Sequence, residues 1–200
     1  MTHALIIVDY QNDFAEGGAL AIPGARALAP AIASHIEMTR SQSWLIIATR
    51  DWHPEGSVHF LPKGKWPVHC LADTHGSDYI DGINPNSIDF EIFKGYANSD
   101  DGYSGFEGVT HVIGTKEDGF QVASDALSLE DVLRNTGIRT LKIVGLATNF
   151  CVYATARDAH ERGYTTILPR DGIAGIDIPW LPSQDDRLQE LAQSGVKIVP

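Results

Sequence analysis

Ala4-Leu-Ile-Ile-Val8 is an uninterrupted apolar run that ends on Asp9. A run with no polar residue in it is the pattern of a strand buried on both faces. Trp44-Leu-Ile-Ile-Ala48 repeats it and leads to Asp51. Between the two, Pro23-Gly24 opens a segment in which Leu28, Ile32, His35, Ile36 and Thr39 recur at helical spacing. The order is therefore strand, helix, strand. Further along, Leu141-Lys-Ile-Val-Gly145 and Thr165-Thr-Ile-Leu168 predict two more strands, with a helix over 150–163 between them. A helix over 127–135 stops before Gly137, and another over 183–193 precedes Gly195 and a short last strand over 196–199. Strands alternating with helices predict an α/β fold with a mainly parallel sheet. Residues 52–108 are rich in Pro, Gly, His and aromatic residues and read as long loops around a site. In such sheets, ligands bind beyond the carboxyl ends of the strands, where Asp9, Asp51 and Cys151 stand.

The chain of 200 residues fits one domain spanning 1–200, with 43% hydrophobic and 20% charged residues. No apolar run is as long as a membrane span, and Met1-Thr2-His3 lacks the basic flank of a signal peptide; a cytoplasmic protein is the expectation. A net charge of -11 disfavours nucleic acid or an anionic membrane as the main partner. Two cysteines, Cys70 and Cys151, are too few for a disulfide framework and direct attention to catalysis or metal binding.

Asp51-Trp-His53 puts a carboxylate and an imidazole on the same side of an extended backbone. His59 and His69 follow, giving one carboxylate and three imidazoles, an oxygen-and-nitrogen set suited to zinc, manganese or iron. The alternative is three histidines falling together in a polar loop. Cys70 reads as a small buried residue, not a fifth donor.

Cys151 follows a strand and opens a helix, where amide groups and the helix dipole stabilise a thiolate and receive an oxyanion. Thr148 or Asn149 is placed to cap that helix. An inert buried thiol is the competing reading. If residues 87–94 form a strand, Ile88, Phe90, Ile92 and Lys94 share a face. Lys94 then points inward and requires an anionic partner, for which Asp9 is placed; otherwise it turns to solvent. A haloacid dehalogenase type of phosphatase needs a second Asp two residues beyond the first, and here that position is Gln11. A nucleotide-binding protein is disfavoured, because neither a G-x-G-x-x-G fingerprint nor a P-loop is present.

Val8-Asp-Tyr-Gln-Asn-Asp-Phe14, Asp51-Trp-His53, Trp66-Pro-Val-His-Cys70, Phe93-Lys-Gly95, Tyr103-Ser-Gly-Phe106 and Gly145-Leu-Ala-Thr-Asn-Phe-Cys151 occur in that order. Together they resemble the nicotinamidase branch of the isochorismatase-like cysteine hydrolases. The resemblance implies a three-layer αβα fold with a mainly parallel six-stranded sheet. It implies a triad of Asp9, Lys94 and Cys151, a metal site of Asp51, His53, His59 and His69, and an oxyanion hole from Ala147 and Cys151 beside a cis peptide between Leu146 and Ala147. It also implies a pyridine pocket walled by Phe14, Trp66 and Tyr103, with Leu146 and Phe150 beside it. The implied activity is conversion of nicotinamide to nicotinate and ammonia through a Cys thioester, in NAD salvage, with pyrazinamide-like amides as further substrates. One divalent transition metal, zinc first and manganese or iron next, orients the substrate; no nucleic acid or membrane partner is implied, and the chain is a monomer or a homo-oligomer.

Two departures stand out. Asn149 replaces an Asp common in that family and Phe150 a His or Tyr, which predicts changed pocket polarity. The 107–126 segment is longer than the family pattern, and residues 109–113 and 120–122 predict a hairpin excursion. The rival readings are an amidohydrolase for another aromatic carboxamide and a non-catalytic metal-binding relative.

Overall fold

The computed structural model describes residues 2–99 and 101–200. Met1, at the head of the segment read above for a leader, and Asp100, in the loop-rich middle third, lie outside the described residues.

Strand β1 (His3–Val8) is the centre of the sheet. It pairs in parallel with β2 (Leu45–Asp51) on one side and β6 (Thr140–Leu146) on the other. Outward from β2 lies β3 (Phe90–Lys94), and outward from β6 lie β7 (Thr165–Pro169) and β9 (Lys197–Val199). The order is β3-β2-β1-β6-β7-β9, the six strands expected, all parallel. The two-residue strand β8 (Ile173–Ala174) pairs with the end of β6, so the sheet has seven strands. β4 (Val112–Thr115) and β5 (Gly119–Val122) form the separate antiparallel hairpin expected in the longer segment.

Alternation along β1 builds two cores. Ala4, Ile6 and Val8 pack with α2 (Leu129–Asn135), α3 (Tyr153–Glu161) and α4 (Gln184–Ser194). Leu5 and Ile7 face the opposite layer, with Ile32 and Ile36 of α1 (Ala29–Ser41). Leu5, Ile6 and Ile7 are wholly buried, each contributing about 1.5–3 kcal/mol of hydrophobic stabilisation. The helix ends follow local chemistry. Ser128 and Ser183 close capping boxes at α2 and α4, and Gly195, at φ 115°, ends α4 in a left-handed conformation.

One helix departs from the prediction. Residues 148–152 form a π-turn, closed by Val152 N–H donating to the Ala147 carbonyl at 3.1 Å, and α3 begins only at Tyr153. A π-turn inserts one residue into the first turn, a local widening common at functional sites. Neither Thr148 nor Asn149 caps it. Asn149 reaches out instead: its Nδ2 donates to the carbonyls of Ile176 (2.9 Å) and Pro182 (3.3 Å), and its Oδ1 accepts from the Ile176 amide. Asn149 therefore tethers the 176–182 loop.

Candidate active site

The carboxyl ends of β1, β2 and β3 place Asp9, Asp51 and Lys94 side by side. Asp9 takes φ 45°, a left-handed conformation that costs a non-glycine residue about 1–3 kcal/mol and turns the chain as β1 ends. Asp51 and Lys94 are register partners on β2 and β3. Lys94 is 0% exposed. Its Nζ lies 2.8 Å from Asp9 Oδ2, bonds Asp51 Oδ1 and the Gly102 carbonyl (2.6 Å), and reaches Cys151 Sγ at 3.7 Å. Thr49 Oγ1 donates to Asp9 Oδ1 at 2.6 Å. The inward reading of Lys94 is the one realised, and its partners are two carboxylates.

Electrostatics divides the two carboxylates. Burial pushes Asp9 above the ordinary carboxylate range, an effect that Lys94 opposes without overcoming. Burial acts the same way on Asp51, but there the Lys94 ammonium and the adjacent imidazoles of His53 and His69 together outweigh it and hold the carboxyl well below that range. Lys94 itself rises well above its ordinary value, since Asp51 and Asp9 outweigh burial. Burial, with Asp9 and Asp51 acting in the same direction, lifts the Cys151 thiol well above normal against the pull of Lys94. The helix start read from the sequence at Cys151 favours a thiolate. Burial and the two carboxylates favour the neutral thiol instead, and Asp9, whose pKa burial raises, is suited to take its proton.

On the other side of Asp51, its Oδ2 lies 3.7 Å from His53 Nε2 and 3.6 Å from His69 Nε2, and the donor atoms of the three residues fall within 4.8 Å of one another. His53 Nδ1 lies 2.7 Å from the Gly95 carbonyl and His69 Nδ1 2.8 Å from the Pro67 carbonyl. Carbonyls only accept, so both Nδ1 atoms carry the hydrogen, and in the neutral imidazole that a metal requires each Nε2 presents a lone pair beside Asp51. His53 Nε2 is buried without a hydrogen-bond partner, and burial lowers the imidazole's pKa, keeping it neutral. Two lone pairs and a carboxylate oxygen converging in a buried space are the donors a divalent transition metal satisfies, so the residues fit such an ion. The His59 ring stands 5.1 Å from that of His53 and faces the same cavity, outside the tight group of three. Gly95 holds the arrangement together at φ 70°, where an added Cβ would lie 2.5 Å from His53 Cε1. Gly95→Ala is therefore expected to cost about 1–3 kcal/mol in chemical denaturation and to weaken zinc binding about tenfold or more, measured by chelator competition. Unchanged zinc affinity would contradict this placement of the ring.

These groups open on a cavity of about 290 Å³. Phe14, Trp66, Tyr103 and Phe150 supply aromatic walls, and Ala147 and Cys151 also line the cavity. Trp66 Nε1 donates to the Tyr103 hydroxyl at 3.1 Å, and Phe150 meets Trp66 edge-on at 5.4 Å between centroids. The Leu146–Ala147 peptide is cis. Gly145, at φ 115°, precedes it where β6 passes so close to β1 that a Cβ would lie 2.1 Å from the Val8 carbonyl oxygen. Leu146 corrects the sequence reading. It is wholly buried in the core layer of α1, and Ala147 is the residue that reaches the cavity. The sequence reading missed Leu20, Ile176 and Ile178 in the cavity lining and Thr49 and Gly102 beside Asp9 and Lys94. Leu20, Ile176 and Ile178 lie in loops, Gly102 acts through its carbonyl, and Thr49 is a polar residue within a strand whose role only its contact with Asp9 reveals. Cys70 is buried, as read.

Among the described residues, no helix is long and apolar enough to cross a membrane.

The isochorismatase domain family matches residues 3–199. This chain belongs to that family. It is 34% identical to the nicotinamidase/pyrazinamidase of Mycobacterium tuberculosis over 98% of this chain and 97% of that protein. Among solved structures, the pyrazinamidase of Pyrococcus horikoshii in complex with zinc matches with a TM-score of 0.82 and 34% identity, covering 100% of this chain and 99% of the other. PnC1 from L. infantum in complex with nicotinate matches with a TM-score of 0.79 and 32% identity, covering 99% and 92%.

Proposed function

We propose that this chain is a nicotinamidase, hydrolysing nicotinamide to nicotinate and ammonia, in NAD salvage, with Asp9, Lys94 and Cys151 as its triad. The observation that carries the reading is the buried Asp9–Lys94–Cys151 group facing an aromatic-walled cavity beside the Asp51, His53 and His69 donors. The likeness to the M. tuberculosis enzyme, and to neighbours solved with zinc and with nicotinate, supports it.

In the proposed mechanism, Phe14, Trp66, Tyr103 and Phe150 clamp the flat ring and exclude water. Asp51, His53 and His69, with His59 as the fourth donor, would hold one divalent metal, zinc first by the chemistry of the set and manganese or iron as alternatives. When bound, it supplies a Lewis-acid contact for the ring nitrogen, which orients the carboxamide. Asp9 takes the Cys151 proton as sulfur attacks the amide carbon, and the backbone N–H groups of Ala147 and Cys151 receive the oxyanion. As the carbon–nitrogen bond breaks, Asp9 returns the proton and ammonia leaves a nicotinoyl thioester. Asp9 then takes a proton from water, which adds to the thioester; collapse expels the sulfur, which regains the proton, and releases nicotinate. Lys94 compensates the charge of both carboxylates throughout.

The raised Asp9 pKa has a kinetic consequence. The base must be ionised, so activity falls as pH drops through that value. The acid limb of kcat/KM is expected above the ordinary carboxylate value of 3.8, and a limb at or below it would contradict the role given to Asp9. The covalent scheme is tested by acid-quenching turnover and digesting the protein. A nicotinoyl group on the Cys151 peptide, removed by hydroxylamine, is the expected result; labelling elsewhere, or none during rapid turnover, would overturn it.

A further inference from the structure

Gln11 enters the sequence reading only as the residue that excludes an aspartyl phosphatase. In the fold it is 0% exposed and sits two residues beyond Asp9, with its side chain reaching β2. Its Oε1 accepts from the Asp51 amide at 2.8 Å. Its Nε2 donates to the Asp51 carbonyl at 2.9 Å and to the Ser77 carbonyl, also at 2.9 Å. One primary amide thus holds both backbone polar groups of Asp51 and the Ser77 carbonyl together, which takes a side chain with an acceptor and two donors.

The topology explains why a side chain is needed. β1 and β2 are in register only as far as Ile7 and Ala48, whereas β2 and β3 continue to Asp51 and Lys94. The last backbone bond from this side runs from the Asp9 amide to the Thr49 carbonyl (3.3 Å), so past Thr49 β2 outruns β1 and the Asp51 peptide groups on that side have lost their strand partner. Gln11 supplies the missing pairing. Asp51 is also the residue whose two oxygens face different groups, Oδ1 toward Lys94 and Oδ2 toward the imidazoles of His53 and His69. A small rotation of its backbone would spoil both contacts together.

We propose that Gln11 is a positioning residue for the metal site, acting through the backbone of Asp51. The proposal rests on the metal-site reading given above. Its test is the zinc affinity of the metal-stripped chain, measured by competition with a chromophoric chelator. Gln11→Met keeps the side-chain length and removes all three hydrogen bonds. Gln11→Asn keeps the amide but is one methylene short, so at least one variant remains informative if the other misfolds. Both are expected to bind zinc about 10- to 100-fold more weakly. Tyr10→Phe is the control. It removes a hydrogen bond to the Ala25 carbonyl from an equally buried neighbour, and its zinc affinity is expected to stay within about twofold of wild type. Folded Gln11 variants with wild-type zinc affinity would overturn the positioning role alone. An equal loss in Tyr10→Phe would overturn it too, by showing a general loosening. Wild-type protein that takes up no zinc would overturn the metal reading and this proposal with it.

Discussion

Cys151→Ala is expected to lower kcat/KM for nicotinamide by about 10⁴- to 10⁶-fold, the scale on which loss of a nucleophile acts when its partners work as a unit. The substitution removes the sulfur at 3.7 Å from Lys94 and leaves the aromatic walls and the Asp51, His53 and His69 group untouched. Binding of nicotinamide is therefore expected to survive within a few-fold. Stopped assays of ammonia and calorimetric titration of the variant measure the two quantities separately. Hydrolysis at more than about a hundredth of the wild-type rate would mean that water attacks directly and that the thioester scheme is wrong. Loss of binding alongside loss of turnover would mean that the sulfur is a structural contact first.

The second large effect concerns Lys94, the wholly buried cation between two buried carboxylates. Lys94→Met keeps the aliphatic stem and removes the charge, leaving Asp9 and Asp51 facing each other uncompensated. Removing one partner of a buried ion pair costs about 3–5 kcal/mol, and urea denaturation should register a loss of that size. Activity should vanish with it. Asp9→Asn in the Lys94→Met background removes one of the stranded charges, so part of the stability should return while the activity does not. A Lys94→Met variant as stable as wild type would show that the carboxylates find compensation elsewhere.

The parts of this account legible in the sequence are those whose signal is local. Ala4 to Val8 announced a two-faced strand because every position is apolar, and the fold places it at the sheet's centre with alternate residues in opposite layers. The helix α1 followed from the spacing of Ile32, His35, Ile36 and Thr39, all buried. Lys94 could be suspected because it falls in line with Ile92, and its burial bears this out.

Other features were hidden by the physics that makes them. The π-turn at 148–152 goes with side-chain bonds of Asn149 to carbonyls some thirty residues away in the 176–182 loop, which no local pattern announces. The resting state of Cys151 is a sum of opposing effects, and only the geometry shows that burial and two carboxylates outweigh one ammonium. The His53 and His69 tautomers are set by carbonyls of Gly95 and Pro67, which carry no side-chain signal. Gln11 belongs here too, since its role exists only because β2 outruns β1.

The central claim is that a cysteine triad and a metal site act together on nicotinamide. Ammonia release from nicotinamide by the purified chain measures it directly, as isolated, after chelation, and with zinc, manganese or iron restored. Release that falls on chelation and returns with one of these metals is the predicted result. If the protein holds metal and no ammonia appears with any of the three, the claim is contradicted and the site belongs to a different amide.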